Sequence, residues 1–322
     1  MRVLVAGGTK FVGRHLVDLL LADGHDVTLF NRGLTNPALF PGAARIAGDR
    51  ADPPEALGGR DWDWVFDVSG QTAEDVGRLG RRVAARTGRY VFVSTASVYR
   101  DRAGNPGIDE DGELWPVTPA SLADGSPSAY GARKTAAEAA VWALAVEAGM
   151  EAAVVRPVLV YGPWDLSDRC GYWLHRVRAG AVVVPEAPAG FRHTVYVKDL
   201  ARILAAAAKA RGAAGRTYNA ASTRHHTVED WIGTAAEVAG VRPVVRRVSW
   251  DALRAAGATG LPGVGVHPGA DWTVSSARIQ RELGFTSTPF AQTLAECYAH
   301  MAAEGRAIKE AIPLDGLARL LS

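Results

Sequence analysis

Tyr130 and Lys134 have the side-chain types and the spacing of an acid–base pair. They lie four residues apart at the start of an Ala- and Glu-rich stretch that is typical of a helix, and positions four apart share one helix face. An ammonium beside a phenol favours the phenolate, so we expect Lys134 to lower the pKa of Tyr130. A tyrosine tuned in this way can act as a general acid or base. A chance pair would show the same spacing, so other motifs must support the interpretation.

The glycine-rich segment 7–13 follows a short apolar run at residues 2–6, which predicts a buried parallel strand. A helical pattern and a second strand near 25–30 complete a βαβ unit. In such a unit the turn presents backbone N–H groups and a helix N-terminus to a pyrophosphate. Gly7 permits the tight turn and Gly13 lets the helix pack closely on the strand. The sequence therefore predicts a dinucleotide site.

Hydroxyl residues end another predicted strand, near 90–94, where Ser94 is followed by Thr95 and Ser97. Open α/β sheets bind ligands in the crevice at the carboxyl ends of their strands, so these hydroxyls are candidates to meet a substrate. Alternatively, the three hydroxyls only cap the strand and begin a turn.

Together these motifs resemble the short-chain dehydrogenase/reductase superfamily, in particular its extended and atypical branch, the NAD-dependent epimerase/dehydratase family. Further segments that carry the resemblance, which extends through most of the 322 residues, are 156–163, 192–199 and 218–220. The resemblance implies that Tyr130 gives or takes a proton at the substrate oxygen. Lys134 would bind the nicotinamide ribose and lower the tyrosine pKa. Thr95 corresponds to the family's Ser/Thr that hydrogen-bonds the substrate oxygen, with Ser94 as the alternative.

Two positions depart from the extended-family pattern. Lys10 stands where the middle glycine of the turn is usual, which is similar to an atypical subgroup that includes chloroplast stem-loop-binding proteins. Some members of that subgroup are RNA-binding rather than catalytic. Leu159 stands where sugar-nucleotide epimerases carry an asparagine, and leucine cannot donate that hydrogen bond. The second departure disfavours a UDP-sugar and favours a less polar natural-product or modified-sugar substrate.

Residues after the second predicted strand bear on the choice between NAD(H) and NADP(H). NAD-preferring folds usually place an acid there for the ribose 2′-hydroxyl, whereas this chain has Asn31 and Arg32. A guanidinium can stack on adenine and fork onto a 2′-phosphate. Lys10 is a second nearby cation unless it is only a solvated surface charge. We therefore expect NADP(H) in preference to NAD(H). The predicted cofactor-binding residues are Gly7, Thr9, Lys10, Phe11, Val12, Gly13, Asn31, Arg32, Asp49, Arg50, Tyr130, Lys134, Pro157 and Val160.

The substrate is expected to meet side chains from both parts of the chain. The predicted substrate residues are Thr95, Ser97, Trp173, Arg176 and Arg192. Tryptophans in this part of the chain also serve as core or interdomain packing, and an arginine at position 192 can instead brace the domain interface.

Strand and helix patterns alternate along the chain and predict an α/β fold, a Rossmann-type doubly wound parallel sheet with a smaller, mostly helical C-terminal substrate domain. Strands are expected near 2–6, 25–30, 44–47, 62–67, 90–94, 152–156 and 216–219. Helices are expected near 11–23, 72–87, 128–148, 227–239 and 275–283. The predicted domains are 1–165 plus 191–223 for the dinucleotide and 166–190 plus 224–322 for the substrate. The aperiodic segment 100–127 is typical of a functional loop.

Composition restricts the partners and the cellular compartment that we expect for the protein. The chain is 48% hydrophobic with a net charge of +2, which gives no electrostatic footprint for nucleic acid. Cys170 and Cys297 do not suggest a disulfide framework, so we expect a cytoplasmic protein. No apolar run reaches the length of a membrane span. His225 and His226 are interpreted as a surface loop pair, and no metal site is expected.

Two classes of function follow from these observations. The first is an NAD(P)-dependent oxidoreductase or epimerase/dehydratase that transfers hydride at a carbonyl or secondary alcohol of a small molecule. Reduction, oxidation and epimerisation would all use Thr95, Tyr130 and Lys134. The second is a non-catalytic dinucleotide-binding or RNA-associated homologue. The long helix predicted near 128–148 is also compatible with a homodimer like that of the family.

Overall fold

A parallel sheet with helices on both faces forms the larger part of the structure. The computed structural model describes residues 1–100, 106–187, 189–258, 261, 265–304 and 314–321. In chain order the strands of these residues are β1 (Arg2–Ala6), β2 (Asp26–Asn31), β3 (Ala44–Ala47), β4 (Trp62–Asp67), β5 (Thr87–Val93), β6 (Glu151–Pro157), β7 (Leu159–Tyr161), β8 (Ala181–Pro185), β9 (Ala189–Phe191), β10 (Thr194–Tyr196), β11 (Arg216–Ala220), β12 (Val244–Val248) and β13 (Val266–Pro268).

The helices alternate with the strands through the first half of the chain, as predicted. They are α1 (Phe11–Ala22), α2 (Ala73–Val83), α3 (Pro119–Ala123), α4 (Tyr130–Ala148), α5 (Arg169–Arg178), α6 (Val197–Lys209), α7 (Val228–Ala239), α8 (Trp250–Ala255), α9 (Ala277–Leu283), α10 (Phe290–Glu304) and α11 (Leu314–Leu321).

Seven parallel strands form the main sheet in the order β11-β6-β5-β4-β1-β2-β3. Strand β1 shows why the sheet is central: Val3 and Val5 pack into the core on one face, whereas Leu4 packs into the core on the other. On the first face α1 packs against α6, and on the second α2 packs against α4. A sheet buried on both faces needs nearly continuous apolar strands, which explains why the short apolar runs predicted it. The doubly wound fold is confirmed.

The predicted strands and helices are confirmed with shifted ends. Strand β5 begins at Thr87 rather than near 90, and α2 ends at Val83 because a 3₁₀ turn at Ala84–Arg86 leads directly into that strand. Within the predicted loop 100–127, residues 101–105 lie outside the described residues. The rest is anchored to distant parts of the fold, since Ile108 pairs with Val274.

A second buried cluster lies beyond the sheet, where α5, α7 and α10 pack together. Aromatic side chains fill it, including Tyr161, Trp173, Phe191, Trp231 and Phe290. Residues of both segments assigned to the substrate domain contribute to this cluster, while the domain boundaries themselves stay a prediction. None of the helices in the described ranges has the length and hydropathy needed to cross a membrane.

His225 and His226 correct one expectation, because they do not form a simple surface pair. His226 stacks on Phe290 with ring centroids 4.0 Å apart, and His225 lies 3.1 Å from an Asp271 carboxylate oxygen. Burial lowers the pKa of His226 to about 4. Among the residues that the structure describes, no group of three or more His, Cys, Asp or Glu side chains is arranged to hold a metal ion.

Candidate active site

The glycine turn opens a cavity of about 590 Å³ at the carboxyl ends of β1, β2 and β4. Gly7 and Gly8 have φ values of +115° and +91°, which side chains other than glycine rarely adopt. A Cβ on Gly13 would lie 2.7 Å from the Gly8 backbone nitrogen, so α1 approaches the turn as closely as its backbone allows. This backbone-lined turn at a helix N-terminus fits a pyrophosphate.

Most of the residues predicted to bind the cofactor line this cavity. They are Gly7, Thr9, Lys10, Phe11, Val12, Gly13, Asn31, Arg32, Asp49 and Arg50. Residues that the sequence did not predict include several from the loops after β2 and β4, namely Leu34, Thr35, Val68, Ser69 and Gln71. No glycine pattern marks these loops, so only their place after a strand of the sheet could have indicated them.

A second cavity, of about 480 Å³, adjoins the first through Phe11 and Val12, which line both. Its predicted lining residues are Thr95, Ser97, Tyr130, Pro157, Val160 and Arg192. Leu159 lines it as well, so the leucine that replaces the family's asparagine faces the ligand space. The two cavities form one groove that runs from the glycine turn to the candidate catalytic hydroxyls.

Thr95 and Tyr130 both line this second cavity, and the Thr95 hydroxyl opposes the rise in the tyrosine pKa that burial causes. The Thr95 hydroxyl also accepts a hydrogen bond from the Ser97 backbone N–H at 3.1 Å, which fixes the side chain at the end of β5. The Ser94 hydroxyl, in contrast, donates to the buried Glu138 carboxylate. Of the two hydroxyls that the sequence left open, Thr95 is therefore the one that meets the tyrosine.

The prediction that Lys134 lowers the pKa of Tyr130 is wrong for the protein by itself. Burial raises the pKa of Tyr130, with the Thr95 hydroxyl and Arg133 acting in the opposite direction, and Lys134 is not among the groups that act on it. The Lys134 ammonium instead donates to the carbonyl oxygens of Gly70 and Val93, each at 2.8 Å. Spacing on a helix places two residues on one face, but the contacts that each side chain makes are decided by the neighbouring strands.

Lys134 is 2% exposed and lines neither cavity. Its ammonium lies 4.0 Å from the Phe92 ring centroid. Burial lowers the pKa of Lys134 to about 8, although the Asp67 and Glu138 carboxylates raise it. The lysine is thus a buried cation whose charge depends on nearby carboxylates.

Gly131 brings the start of α4 against the turn that carries Thr95. A Cβ on Gly131 would lie 2.3 Å from the Ser97 carbonyl oxygen and 2.6 Å from the Trp115 ring. Any larger residue would force the helix, and with it Tyr130, away from the turn. A glycine one position after the tyrosine is the only sequence signal of this contact.

We expect Gly131→Ala to lower the free energy of unfolding by about 1–3 kcal/mol, because a methyl group must be fitted into a filled space. The matched control is Gly233→Ala in α7, where nothing lies within 4 Å of the added methyl group. That control should raise stability by roughly 0.5–1 kcal/mol, since alanine is the better helix former. Urea unfolding of both variants measures the difference. Equal effects at the two sites would show that the contact with Ser97 is unimportant.

Arg50 is paired beneath the first cavity rather than free within it. Its guanidinium makes two hydrogen bonds to the carboxylate of Asp67, which is 0% exposed, and a third to the Asp75 carbonyl. Arg32 is different: its side chain is 66% exposed, with the guanidinium 4.0 Å from Asp49. Asn31 donates to the Gly7 carbonyl and accepts from the Gly33 N–H, so its amide holds the end of β2 against the turn.

Two predicted substrate residues lie away from the groove. Trp173 is 1% exposed and packs among the aromatic rings of the second cluster, and Arg176 is also buried. Neither lines the second cavity, so packing is the better interpretation of Trp173. The residues of that cavity that the sequence did not predict are Ala96, Val158, Asp165, Leu166, Ser167, Arg169 and Trp272. No motif among the sequence neighbours of Trp272 indicates that it lines a cavity.

A sequence model of the NAD dependent epimerase/dehydratase family matches residues 3–57 and 60–221 of the chain. The match includes the glycine turn, Thr95, Tyr130 and Lys134. The chain belongs to this family, as the motifs predicted.

Curated relatives are 30–31% identical to the chain over the residues that align. It is 30% identical over 217 residues to the chloroplast stem-loop binding protein of 41 kDa b of Arabidopsis thaliana, which covers 62% of this chain and 53% of that protein. It is 31% identical over 243 residues to the 2-alkyl-3-oxoalkanoate reductase of Stenotrophomonas maltophilia, with 68% and 69% covered. A third relative is the 2′-dehydrokanamycin reductase of Streptomyces kanamyceticus, 31% identical over 194 residues with 57% and 51% covered. The chain thus spans about half the length of two of these relatives.

Solved structures support the fold. The UDP-glucose 4-epimerase of Thermotoga maritima, determined with UDP-glucose, superposes with a TM-score of 0.72 at 18% identity and covers 95% of this chain and 100% of that one. The UDP-glucuronic acid 4-epimerase of Bacillus cereus, determined with UDP-glucuronic acid and NAD, gives 0.72 at 16% identity with 94% and 100% covered. At these identities the likeness concerns the fold alone.

Proposed function

We propose that the protein is an NAD(P)-dependent oxidoreductase that reduces a carbonyl group of a small natural-product or sugar-like molecule. The observation that carries the proposal is that Thr95 and Tyr130 line one cavity, which shares Phe11 and Val12 with the cavity of the glycine turn. A phenol with a raised pKa stays protonated at neutral pH, so Tyr130 is suited to donate a proton to an oxygen that gains negative charge. Relatives whose names denote reductases support this direction of the reaction.

Each residue of the groove has a proposed role. Thr95 orients the substrate oxygen, and Tyr130 delivers the proton to it. Lys134 lines neither cavity, so a contact with the cofactor ribose would require its ammonium to leave the Gly70 and Val93 carbonyl oxygens. Gly7 and Gly13 admit the pyrophosphate to the helix N-terminus. When bound, the nicotinamide cofactor supplies the hydride, and the protein contributes position and electrostatics.

The experiment that tests the proposal is fluorescence titration with NADPH and NADH, followed by dinucleotide oxidation against a panel of ketones and aldehydes. We expect binding in the micromolar range or tighter and consumption of the reduced dinucleotide with at least one carbonyl compound. A protein that binds neither dinucleotide would contradict the proposal. Tight retention of NAD(H) without net turnover would instead indicate an epimerase or dehydratase that recycles its cofactor.

We propose NADP(H) as the preferred cofactor, on the chemistry of the β2 end. No acidic side chain follows β2, while Lys10 and Arg32 line the same cavity and present cations to it. The exposed Arg32 guanidinium could donate two parallel hydrogen bonds to a 2′-phosphate. The UDP-glucuronic acid 4-epimerase of Bacillus cereus was solved with NAD, which leaves NAD(H) as the alternative.

Arg32→Ala should weaken NADPH binding by about tenfold, because one charge-assisted hydrogen bond to the 2′-phosphate is lost at an exposed position. NADH binding should change little. Combining it with Asn31→Asp should move the preference further toward NAD(H), although Asn31 also holds Gly7. Parallel titrations of NADPH and NADH measure the ratio of the two dissociation constants. An unchanged ratio would contradict the assignment of Arg32.

The shape and lining of the second cavity support a substrate smaller and less polar than a nucleotide sugar. Leu159 and Trp272 present apolar surface to it, whereas Arg169 and Arg192 place two guanidinium groups at its wall. Arg169 is paired with Asp165 at 2.9 Å. We propose a carbonyl compound with an apolar body and one polar or anionic group.

A second candidate function is binding of an RNA stem-loop, favoured by the similarity to the chloroplast stem-loop binding protein. The net charge of +2 gives little support to phosphate-backbone binding. Fluorescence anisotropy with a labelled stem-loop tests it. Submicromolar, salt-dependent binding that NADPH does not displace would favour this candidate over the reductase.

We also propose a cytoplasmic homodimer. Cys170 and Cys297 are both free thiols, which suits a reducing compartment.

Helix α4 is the proposed surface of the dimer. It packs on α2 and carries Val146, which is 85% exposed. Light scattering after size-exclusion chromatography distinguishes a dimer from a 34.1 kDa monomer.

A further inference from the structure

Asp67 is the most deeply buried carboxylate next to the groove, and the family motifs assign it no part. It ends β4 and is 0% exposed. Its carboxylate accepts hydrogen bonds from the Tyr90 hydroxyl at 2.7 Å and from the Gly70 backbone N–H at 2.9 Å. Arg50 completes the set with two hydrogen bonds. Burial alone would raise the pKa of Asp67, but Arg50 and Tyr90 bring it below its usual value.

The backbone turn at residues 67–70, which the Asp67 carboxylate stabilises, also binds the Lys134 ammonium. The Asp67 carboxylate accepts from the backbone N–H groups of both Ser69 and Gly70. The carbonyl oxygen of Gly70 in turn accepts from the Lys134 ammonium at 2.8 Å. One buried carboxylate therefore fixes one of the two carbonyl acceptors of the lysine through a single short segment of backbone; the other, Val93, belongs to β5.

Charge reinforces this connection. The largest charge effects on Lys134 come from Asp67, Glu138, Arg50 and Asp75. Glu138 is engaged by Arg156 and Ser94, so part of its charge is balanced elsewhere. Asp67 is the carboxylate with the largest influence on the lysine, and Arg50, which lines the cofactor cavity, has the opposite influence.

We propose that Asp67 is a positioning residue for Lys134: it fixes the 67–70 turn that holds the ammonium and supplies the negative charge that keeps the lysine protonated. Arg50 balances this charge from the cofactor side. The inference rests on the proposed function, since it concerns the lysine that would support Tyr130. A carboxylate in this place lets a lysine buried in an apolar wall remain a cation at neutral pH.

The test measures the titration of Lys134 directly, without cofactor or substrate. Lysine labelled with ¹³C at the ε carbon gives few signals in a chain with five lysines, and the loss of one signal in Lys134→Met assigns it. We expect Asp67→Asn to lower the pKa of Lys134 from about 8 by roughly one unit or more. Arg50→Gln should shift it in the opposite direction, because a positive charge is removed. These opposite signs keep the proposal testable if one of the two variants does not fold.

Tyr90→Phe is the matched control, because it removes one hydrogen bond to Asp67 and leaves the carboxylate charge in place. Its Lys134 pKa should stay within a few tenths of a unit of the wild-type value. If turnover is found, its alkaline decline should move to lower pH in Asp67→Asn by the same shift. An unchanged Lys134 pKa in Asp67→Asn, or equal shifts in Asp67→Asn and Tyr90→Phe, would overturn the proposal. Absence of any turnover would count against the proposed function and leave the titration result standing.

Discussion

Tyr130→Phe should lower turnover by about 10²–10⁴-fold, the usual loss when a general acid is removed. The substitution deletes one hydroxyl from the groove and leaves the ring that packs at the start of α4. Thr95 remains to orient the substrate oxygen, but the phenol proposed to donate the proton is gone. The loss should appear in kcat, because the proton is needed only as charge develops on the oxygen.

Cofactor binding separates this effect from damage to the site. Dissociation constants for NADPH and NADH should change by less than about threefold in Tyr130→Phe, since the glycine turn and the β2 end are untouched. Tyr298→Phe in α10, outside both cavities, is the matched control and should keep full turnover. Thr95→Val should reduce turnover while leaving the phenol in place. Near-normal turnover of Tyr130→Phe would remove the tyrosine from the mechanism.

Local motifs predicted the parts of the site that depend on neighbours in sequence. The glycine turn, the hydroxyls after β5 and the tyrosine at the start of α4 each follow a recognisable strand or helix, and the sheet brings those ends together. The fold could be predicted for the same reason: strands buried on both faces are short apolar runs, and these alternate with amphipathic helices.

Contacts between residues far apart in sequence could not be predicted in this way. The carbonyl of Gly70 that holds Lys134 is 64 residues from it, and the pair of Arg50 and Asp67 joins the loop after β3 to the end of β4 without any motif. For the same reason Trp173 was assigned to the groove: aromatic residues suit both a core and a binding site, and only the packing of α5 against α7 decides between them.

Arg156 and Glu138 carry the second large expected effect, on stability. Their side chains are 5% and 4% exposed and are joined by two hydrogen bonds, at 3.0 and 2.7 Å. Arg156 also donates to the Tyr99 hydroxyl and the Glu110 carbonyl, so the pair connects α4 and β6 to the segment after β5. Arg156→Met keeps much of the side-chain volume but leaves the Glu138 carboxylate buried without its cation. We expect a loss of about 3–5 kcal/mol in the free energy of unfolding.

The double variant Arg156→Met with Glu138→Gln distinguishes lost attraction from a stranded charge. If the unpaired carboxylate is the main cost, neutralising it should recover at least about 1 kcal/mol of what Arg156→Met loses. The exposed pair of Arg254 and Asp251 is the control, with side chains 66% and 88% exposed. Arg254→Ala should change stability by less than about 0.5 kcal/mol, because water screens a surface pair. Guanidinium unfolding of all variants gives the comparison. A loss of stability in Arg156→Met no larger than that in Arg254→Ala would contradict the expected cost of the unpaired carboxylate.

The buried pair is also connected to the candidate active site, because Glu138 accepts a hydrogen bond from Ser94, the neighbour of Thr95. We therefore expect turnover to fall together with stability in the Arg156 and Glu138 variants.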